Sequence, residues 1–139
     1  MFKEIEVLGM YRHRNLIKYT DYWIGGHYGL VLYEFMENGT LYDILHENTP
    51  PPPLTWNVRL KIAVGIAEGL AYLHYDCVPP TVHRDIKPKN ILLDANMEPL
   101  IADLGTALIR EFSEDSYSHF ETREMLLSHI VGTPGYFAP

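Results

Sequence analysis

The octapeptide at residues 83–90, His-Arg-Asp-Ile-Lys-Pro-Lys-Asn, brings together side chains of complementary chemistry. Asp85 supplies an acid, Lys87 a cation and Asn90 an amide. Transfer of a phosphoryl group needs a carboxylate that takes up a proton and a cation that neutralises charge on the moving oxygens. Lys87 and Asn90 follow Asp85 by two and five positions, and this spacing favours phosphoryl transfer. The alternative is a solvated loop of mixed charge.

A hairpin is predicted directly after this octapeptide. Residues 91–94 and 100–102 are short apolar stretches typical of strands, and turn residues fill positions 95–99. The second strand leads to Asp103-Leu104-Gly105. On its own, this tripeptide reads as a common turn.

The octapeptide resembles the protein-kinase signature H-R-D-x-x-x-x-N. His83 and Arg84 match its first two positions. The resemblance implies that Asp85 is the catalytic base, that Lys87 stabilises charge as in serine/threonine kinases, and that Asn90 binds Mg²⁺. It also implies ATP and Mg²⁺ as cofactors and a protein as the substrate.

Two later motifs follow in the order that protein kinases have. Asp103 begins a tripeptide that stands where kinases carry D-F-G, whose Asp binds Mg²⁺, and Leu104 keeps an apolar side chain at the Phe position. Residues 132–139 resemble the G-T-x-G-Y-x-A-P-E element that closes the activation segment. The resemblance makes Thr133 the threonine whose hydroxyl contacts the catalytic Asp and Lys. Taken alone, these eight residues read as a Gly/Pro-rich turn.

Two further stretches narrow the resemblance. Residues 72–85 and 12–16 are similar to the corresponding parts of plant leucine-rich-repeat receptor-like kinases. This resemblance covers essentially the whole chain. It implies an α+β, protein-kinase-like fold and a serine/threonine kinase that acts in receptor-like signalling.

The same resemblance assigns residues that precede the catalytic loop. Glu4 lies in a stretch similar to the F-x-E-I pattern of the first long helix and is the candidate ion-pair Glu. Tyr33 guards the back of the adenine pocket. The Glu34 carbonyl and the Met36 amide are candidates to bind adenine, and Leu92 lies beneath it. From the residues alone, this segment is equally an ordinary amphipathic edge strand.

The length of 139 residues predicts a truncated kinase domain. We expect a small-lobe remnant and hinge at residues 1–36 and the catalytic-loop portion of the large lobe at residues 37–139. No Gly-rich loop or phosphate-binding strand Lys precedes Glu4, and we therefore expect the isolated fragment to be inactive. The alternative function is a non-catalytic module that binds an intact kinase or a co-receptor.

Composition excludes several other classes of protein. The formal net charge of −7 disfavours nucleic acid as a partner. The single cysteine, Cys77, cannot form an internal disulfide, and the seven histidines lack the spacing of metal ligands.

No apolar run approaches the roughly 20 residues of a membrane helix. We expect any receptor span to lie outside this chain, which places the segment at the cytoplasmic face of the plasma membrane, or in the cytoplasm if there is no receptor.

Residue patterns predict the remaining elements. The first helix should end at about Met10, strands at residues 16–23 and 30–35 should form a hairpin, and a short helix should span residues 39–46. Four prolines at 50–53 predict a surface loop, with a polyproline II partner site as the alternative. A mostly buried helix capped by Thr55 should follow. Its apolar stripe comprises Leu60, Ala63, Val64, Ala67, Leu70, Ala71 and His74, widened by Ile62, Ile66 and Leu73.

The segment at residues 106–131 is rich in hydroxyl and acidic side chains and is the least regular stretch after the prolines. Such a loop is usually a mere connection. In kinases that carry Arg directly before the catalytic Asp, a phosphate on this segment pairs with the Arg. The resemblance therefore implies that phosphorylation at residues 113–128 or at Thr133 acts through Arg84.

Overall fold

The computed structural model describes residues 9–26, 29–46, 54–109 and 131–136. Gly9 and Met10 are helical, in agreement with a helix that ends at about Met10. The elements that follow are β1 (Tyr19–Ile24), β2 (Gly29–Tyr33), α1 (Leu41–His46), α2 (Trp56–Ala71), β3 (Thr81–Val82), β4 (Ile91–Leu93), β5 (Pro99–Ile101) and β6 (Leu108–Ile109). Short strands and a single long helix among the described residues agree with the predicted α+β class.

The three strand pairs are all antiparallel: β1 with β2, β3 with β6, and β4 with β5. The prediction started the first strand at residue 16, but β1 begins at Tyr19. The reason is tertiary: Leu16 forms a parallel bridge with Ile101 of β5, and the Ile17 amide donates to the Ile101 carbonyl at 2.9 Å. This segment therefore belongs to the body that carries the β4–β5 hairpin.

Helix α2 begins as predicted, because the Thr55 hydroxyl accepts a hydrogen bond from the Val58 amide at 3.4 Å. Its last turn widens into a π-helical turn over Tyr72–Asp76. The predicted buried face is wrong in part, since Leu60 and Val64 remain 51% and 47% exposed.

The buried side of α2 carries small residues. Gly65 and Gly69 are buried, together with Ile62, and Leu73 continues the same face in the π-helical turn. A Cβ on Gly65 would lie 2.5 Å from the Pro99 ring and 2.8 Å from the side-chain nitrogen of Asn15. The absence of side chains thus lets the helix backbone approach β5 closely. A stripe chosen by apolar side chains alone cannot reveal this contact.

Helix α1 is joined to the β4–β5 hairpin through the segment that precedes it. The Leu93 amide donates to the Gly39 carbonyl at 2.9 Å, and Thr40 forms an isolated antiparallel β-bridge with Leu92. Gly39 has φ of 64°, a conformation that favours glycine. The Thr40 amide donates to the Asp43 carboxylate at 2.9 Å while the Asp43 amide donates to the Thr40 hydroxyl at 3.2 Å, and this reciprocal pair caps the helix.

The main hydrophobic cluster lies between α2, the β4–β5 hairpin and the segment before β1. Its buried members are Tyr11, Leu16, Ile17, Leu73, Cys77, Ile91, Ile101, Leu104 and Ala107. Asn15 crosses this region and is fully buried, with its amide nitrogen donating to the Pro99 carbonyl at 2.9 Å. Among the described residues, no helix is both long enough and apolar enough to cross a membrane.

Candidate active site

The carboxylate of Asp85 lies at the centre of a network of side chains and is only 7% exposed. Lys87 Nζ donates to Asp85 Oδ2 at 2.6 Å and to Thr133 Oγ1 at 2.6 Å. The Thr133 hydroxyl in turn donates to Asp85 Oδ1 at 2.6 Å. The structure thus brings Thr133 next to an acid and a cation that lie more than forty residues earlier in the chain.

The loop after Asp85 positions Asn90 through a 3₁₀ turn at Pro88–Asn90. The backbone amide of Asn90 donates to the Lys87 carbonyl at 2.9 Å and closes this turn. The side-chain nitrogen of Asn90 donates to the Asp85 carbonyl at 2.9 Å and to Asp85 Oδ2 at 3.1 Å. Because the nitrogen faces Asp85, the amide oxygen points away from it and is the atom available to a cation.

Two opposing effects set the pKa of Asp85. Burial raises it, but hydrogen bonds from Lys87 and Thr133, the charge of Lys87 and the hydrogen bond from Asn90 together lower the pKa below its ordinary value. Asp85 is therefore ionised at neutral pH. A carboxylate has about four lone-pair positions, and the three side-chain hydrogen bonds leave one able to receive a proton.

His83 fixes the main chain on either side of the site. Its Nδ1 accepts from the Asp85 amide at 3.2 Å, and its Nε2 lies 2.8 Å from the Ala102 carbonyl. Because Nδ1 accepts a hydrogen bond and Nε2 faces a carbonyl oxygen, the ring must be the neutral tautomer that carries its proton on Nε2. Burial lowers the pKa of His83, which agrees with a neutral ring.

Arg84 joins the catalytic loop to the segment that follows Asp103. Its Nε donates to the Thr106 carbonyl at 2.6 Å, and the Thr106 hydroxyl donates to the His83 carbonyl at 3.2 Å. The pairing of β3 with β6 holds the same two segments side by side. The hydroxyl-rich stretch at residues 113–128 lies outside the described residues, so its pairing with Arg84 stays a prediction.

Asp103 follows β5 and has left-handed backbone geometry, with φ of 60°. The amide of the preceding residue, Ala102, donates to the Asn90 carbonyl at 2.9 Å, which connects the main chains at Asn90 and Asp103. Asp103 is exposed, whereas Leu104 is fully buried in the main cluster. The carboxylate and amide oxygens of Asp103 and Asn90 are of the type that Mg²⁺ prefers, and these two residues fit the predicted pair of ligands in chemical type.

The residues predicted to bind adenine lie on a backbone segment that is attached to β4. The Gly39 amide donates to the Met36 carbonyl at 3.0 Å, and the adjoining residues pair with Leu93. Leu92 alternates with the buried Ile91 and Leu93, and its side chain therefore points to the other face of the hairpin.

Three of the predicted adenine-site side chains, those of Tyr33, Met36 and Leu92, are partly buried against the main cluster. Glu34 exposes its side chain, and adenine binding by its carbonyl stays a prediction. Glu4, the candidate ion-pair residue, lies outside the described residues.

Sequence reasoning missed two residues that join elements of the fold that carry this site. Asn15 ties the segment before β1 to β5 through its side chain, and Lys89 places its ammonium 4.6 Å from the centroid of the Tyr42 ring on α1. In the sequence, Asn15 stands out only as part of a stretch that resembles receptor-like kinases, and no spacing rule links Lys89 to Tyr42. Only the fold brings these groups together.

Comparison with known proteins assigns the family. The protein kinase domain model matches residues 1–139. The chain is 53% identical over 139 residues to a receptor-like protein kinase of Ipomoea nil and 48% identical over 140 residues to the leucine-rich repeat receptor-like protein kinase PEPR2 of Arabidopsis thaliana, covering 100% of the chain and 12% of each relative. It is 43% identical over 136 residues to the LRR receptor-like serine/threonine-protein kinase SIK1 of Oryza sativa subsp. japonica, covering 98% of the chain and 13% of that relative. The chain therefore belongs to the protein kinase family.

Proposed function

We propose that this chain forms the catalytic-loop region of a receptor-like serine/threonine protein kinase, which transfers the γ-phosphate of ATP to a Ser or Thr of a protein. The observation that carries the proposal is the closed set of hydrogen bonds among Asp85, Lys87 and Thr133. An ionised, oriented carboxylate beside a cation is the arrangement that proton uptake and charge stabilisation need.

The proposed reaction is an in-line displacement at the γ-phosphorus. The substrate hydroxyl oxygen forms the new bond to phosphorus as the bond to the β–γ bridging oxygen breaks, and ADP leaves with that electron pair. Asp85 orients the hydroxyl and takes its proton. Lys87 lies within 2.6 Å of Asp85 Oδ2 and stabilises charge on the transferred oxygens. Asn90 and Thr133 hold the carboxylate in place.

The same proposal assigns the nucleotide and metal contacts. Asn90 and Asp103 would hold Mg²⁺, which supplies counter-charge to the phosphates when bound. The Glu34 carbonyl and the Met36 amide would bind adenine, with Leu92 beneath the ring. These are main-chain and apolar contacts, which position the nucleotide without adding charge.

The remaining assignments rest on the family relationship. Residues 1–36 would be the end of the small lobe with the hinge, with Glu4 as the ion-pair residue and Tyr33 at the back of the adenine pocket. Residues 37–139 would belong to the large lobe. We propose a location at the cytoplasmic face of the plasma membrane, a co-receptor or intact kinase as partner, and control by an activation-segment phosphate that binds Arg84.

A chimera tests the proposed function. The 139-residue chain replaces the matching segment of a complete receptor-like kinase domain, and transfer of labelled phosphate to a protein substrate is measured. We expect transfer in the chimera and, in Asp85→Asn, a loss of about 100-fold or more with nucleotide affinity largely retained, because general-base catalysis contributes about 10²–10⁴-fold.

Asp21→Asn is the matched control, since Asp21 is exposed on β1 and makes the same change of charge outside the site. Equal activity in the Asp85→Asn chimera and the unaltered chimera would contradict the proposal. A folded chimera that binds partner proteins but transfers no phosphate would favour the non-catalytic binding module instead.

A further inference from the structure

The hydroxyl of Tyr11 joins two segments that lie far apart in the sequence. Tyr11 directly follows the helical residues Gly9 and Met10, and it is buried in the main hydrophobic cluster. Its hydroxyl donates to the Pro79 carbonyl at 2.9 Å and accepts a hydrogen bond from the Thr81 hydroxyl at 3.0 Å. The phenol group therefore uses a donor and an acceptor position on the segment that leads to the catalytic loop.

The sequence around Pro79 explains why side-chain hydroxyls act here. Pro79 and Pro80 are consecutive prolines and have no amide proton, so this stretch offers carbonyl acceptors without backbone donors of its own. The single proton of the Thr81 hydroxyl has two acceptors within reach, the Tyr11 oxygen at 3.0 Å and the Pro79 carbonyl at 3.4 Å. Without the Tyr11 hydroxyl, Thr81 can donate to Pro79, and the carbonyl keeps a partner while the link to Tyr11 is lost.

Thr81 lies at the entrance to the catalytic loop. It is fully buried and begins β3, and His83 directly follows this strand. The ring of His83 accepts from the Asp85 amide and lies 2.8 Å from the Ala102 carbonyl. Strands β3 and β6 comprise two residues each, so their pairing alone gives little hold on this segment. A shift of Thr81 would therefore move the residue that fixes the main chain at Asp85.

We propose that Tyr11 is a positioning residue for the catalytic loop. Its hydroxyl holds the start of β3 in place and acts on Asp85 through Thr81 and His83. This inference rests on the proposed function where it concerns catalysis, because Asp85 is the proposed base. One buried hydrogen bond changes an equilibrium by about two- to tenfold, which sets the size of the expected effects.

Tyr11→Phe in the chimera removes the hydroxyl and keeps the buried ring. We expect kcat for phosphate transfer to fall about two- to tenfold. The KM for ATP should stay nearly unchanged, because the proposed adenine contacts lie on another segment. Tyr75→Phe is the matched control, since Tyr75 is 82% exposed and undergoes the same chemical change outside this set of hydrogen bonds. The inference is overturned if both variants have the same kcat.

Two substitutions of Thr81 separate positioning from general stability. Thr81→Val keeps the branched shape of the side chain but removes the hydroxyl, and kcat should fall as in Tyr11→Phe. Thr81→Ser keeps the hydroxyl but removes a buried methyl group, so the urea midpoint should fall while kcat stays close to that of the unaltered chimera. If Thr81→Ser lowers kcat as much as Thr81→Val, the role is structural only and the inference fails.

Amide hydrogen exchange tests the same link without phosphoryl transfer. In Tyr11→Phe, amides of residues 81–87, among them the Asp85 amide that is bonded to His83, should exchange about two- to tenfold faster. Amides of α2 should exchange as in the unaltered chimera. Equal acceleration in both regions, or none in residues 81–87, overturns the inference. If the unaltered chimera transfers no phosphate but the acceleration is confined to residues 81–87, the proposed function is rejected and the link from Tyr11 to the catalytic loop stands.

Discussion

Two residues of the candidate site adopt backbone conformations that their side chains disfavour. Arg84 has φ of 70° and Asp103 has φ of 60°. The left-handed region costs most non-glycine residues roughly 1–3 kcal/mol and persists where the surroundings enforce it. For Arg84 the enforcing contacts are its bond to the Thr106 carbonyl and the neighbouring bonds of His83. No sequence pattern reveals these two backbone conformations.

Thr133 allows a test of how the pKa of Asp85 is set. In the folded protein that pKa is lowered, partly by the Thr133 hydroxyl. Thr133→Val removes this hydrogen bond, so the pKa should rise and the fraction of ionised base at low pH should fall. In the chimera we expect the acidic limb of the kcat/KM profile to move to higher pH, with a smaller change at neutral pH.

Thr133→Ser keeps the hydroxyl and serves as the matched control, with an acidic limb close to that of the unaltered chimera. An identical limb in Thr133→Val and Thr133→Ser would mean that the 2.6 Å contact does not affect the base.

At the scale of elements, the close contact of α2 with β5 depends on glycine. A methyl group at Gly65 would lie 2.5 Å from Pro99 and 2.8 Å from the Asn15 amide, and neither the ring nor the buried amide has room to move away. Ala improves helix propensity by up to about 1 kcal/mol, whereas overpacking costs about 1–3 kcal/mol. We expect Gly65→Ala to lower the free energy of unfolding of the chimera by about 1–2 kcal/mol in urea.

Gly26→Ala is the control for this substitution, because no atom lies within 4 Å of a Cβ at that position. Its midpoint should stay close to that of the unaltered chimera. Stabilisation by Gly65→Ala would show that α2 and β5 lie further apart than described.

The elements were predictable from the sequence to the extent that local patterns determine them. The β4–β5 hairpin, the Thr55 cap and the short helix α1 lie where turn residues and periodicity predicted them. The start of β1 and the buried face of α2 were wrong, because contacts of Leu16 and Gly65 with distant residues determine them. The approach of Thr133 to Asp85 followed only from family resemblance, since no local rule spans that separation.

At the scale of the whole molecule, one face of α2 exposes large apolar side chains. Trp56 is 75% exposed, and Leu60 and Val64, one and two turns later, are each about half exposed. Burying such side chains is worth about 1.5–3 kcal/mol each, against a net stability of about 5–15 kcal/mol for ordinary domains. We therefore expect the isolated 139-residue chain to melt with low cooperativity or to associate, as measured by circular dichroism and sedimentation velocity.

A sharp cooperative transition of a monodisperse monomer would contradict this expectation. The double variant Leu60→Gln, Val64→Gln separates association from low cooperativity of melting. If it reduces association without sharpening the melt, the association occurs through this face of α2.

The isolated chain should also fail to turn over ATP, although it carries Asp85, Lys87, Asn90 and Asp103. Phosphoryl transfer depends on positioning, and the 139-residue sequence has no match to the Gly-rich loop or to the strand Lys of the kinase pattern. We therefore expect the proposed base and the proposed oxygen ligands alone not to align the γ-phosphate with the attacking hydroxyl. The measurement is transfer of labelled phosphate by the 139-residue chain, with the active chimera as positive control. Label above background on a substrate, lost in Asp85→Asn, would show that the catalytic loop alone provides the positioning that we assign to the rest of the domain.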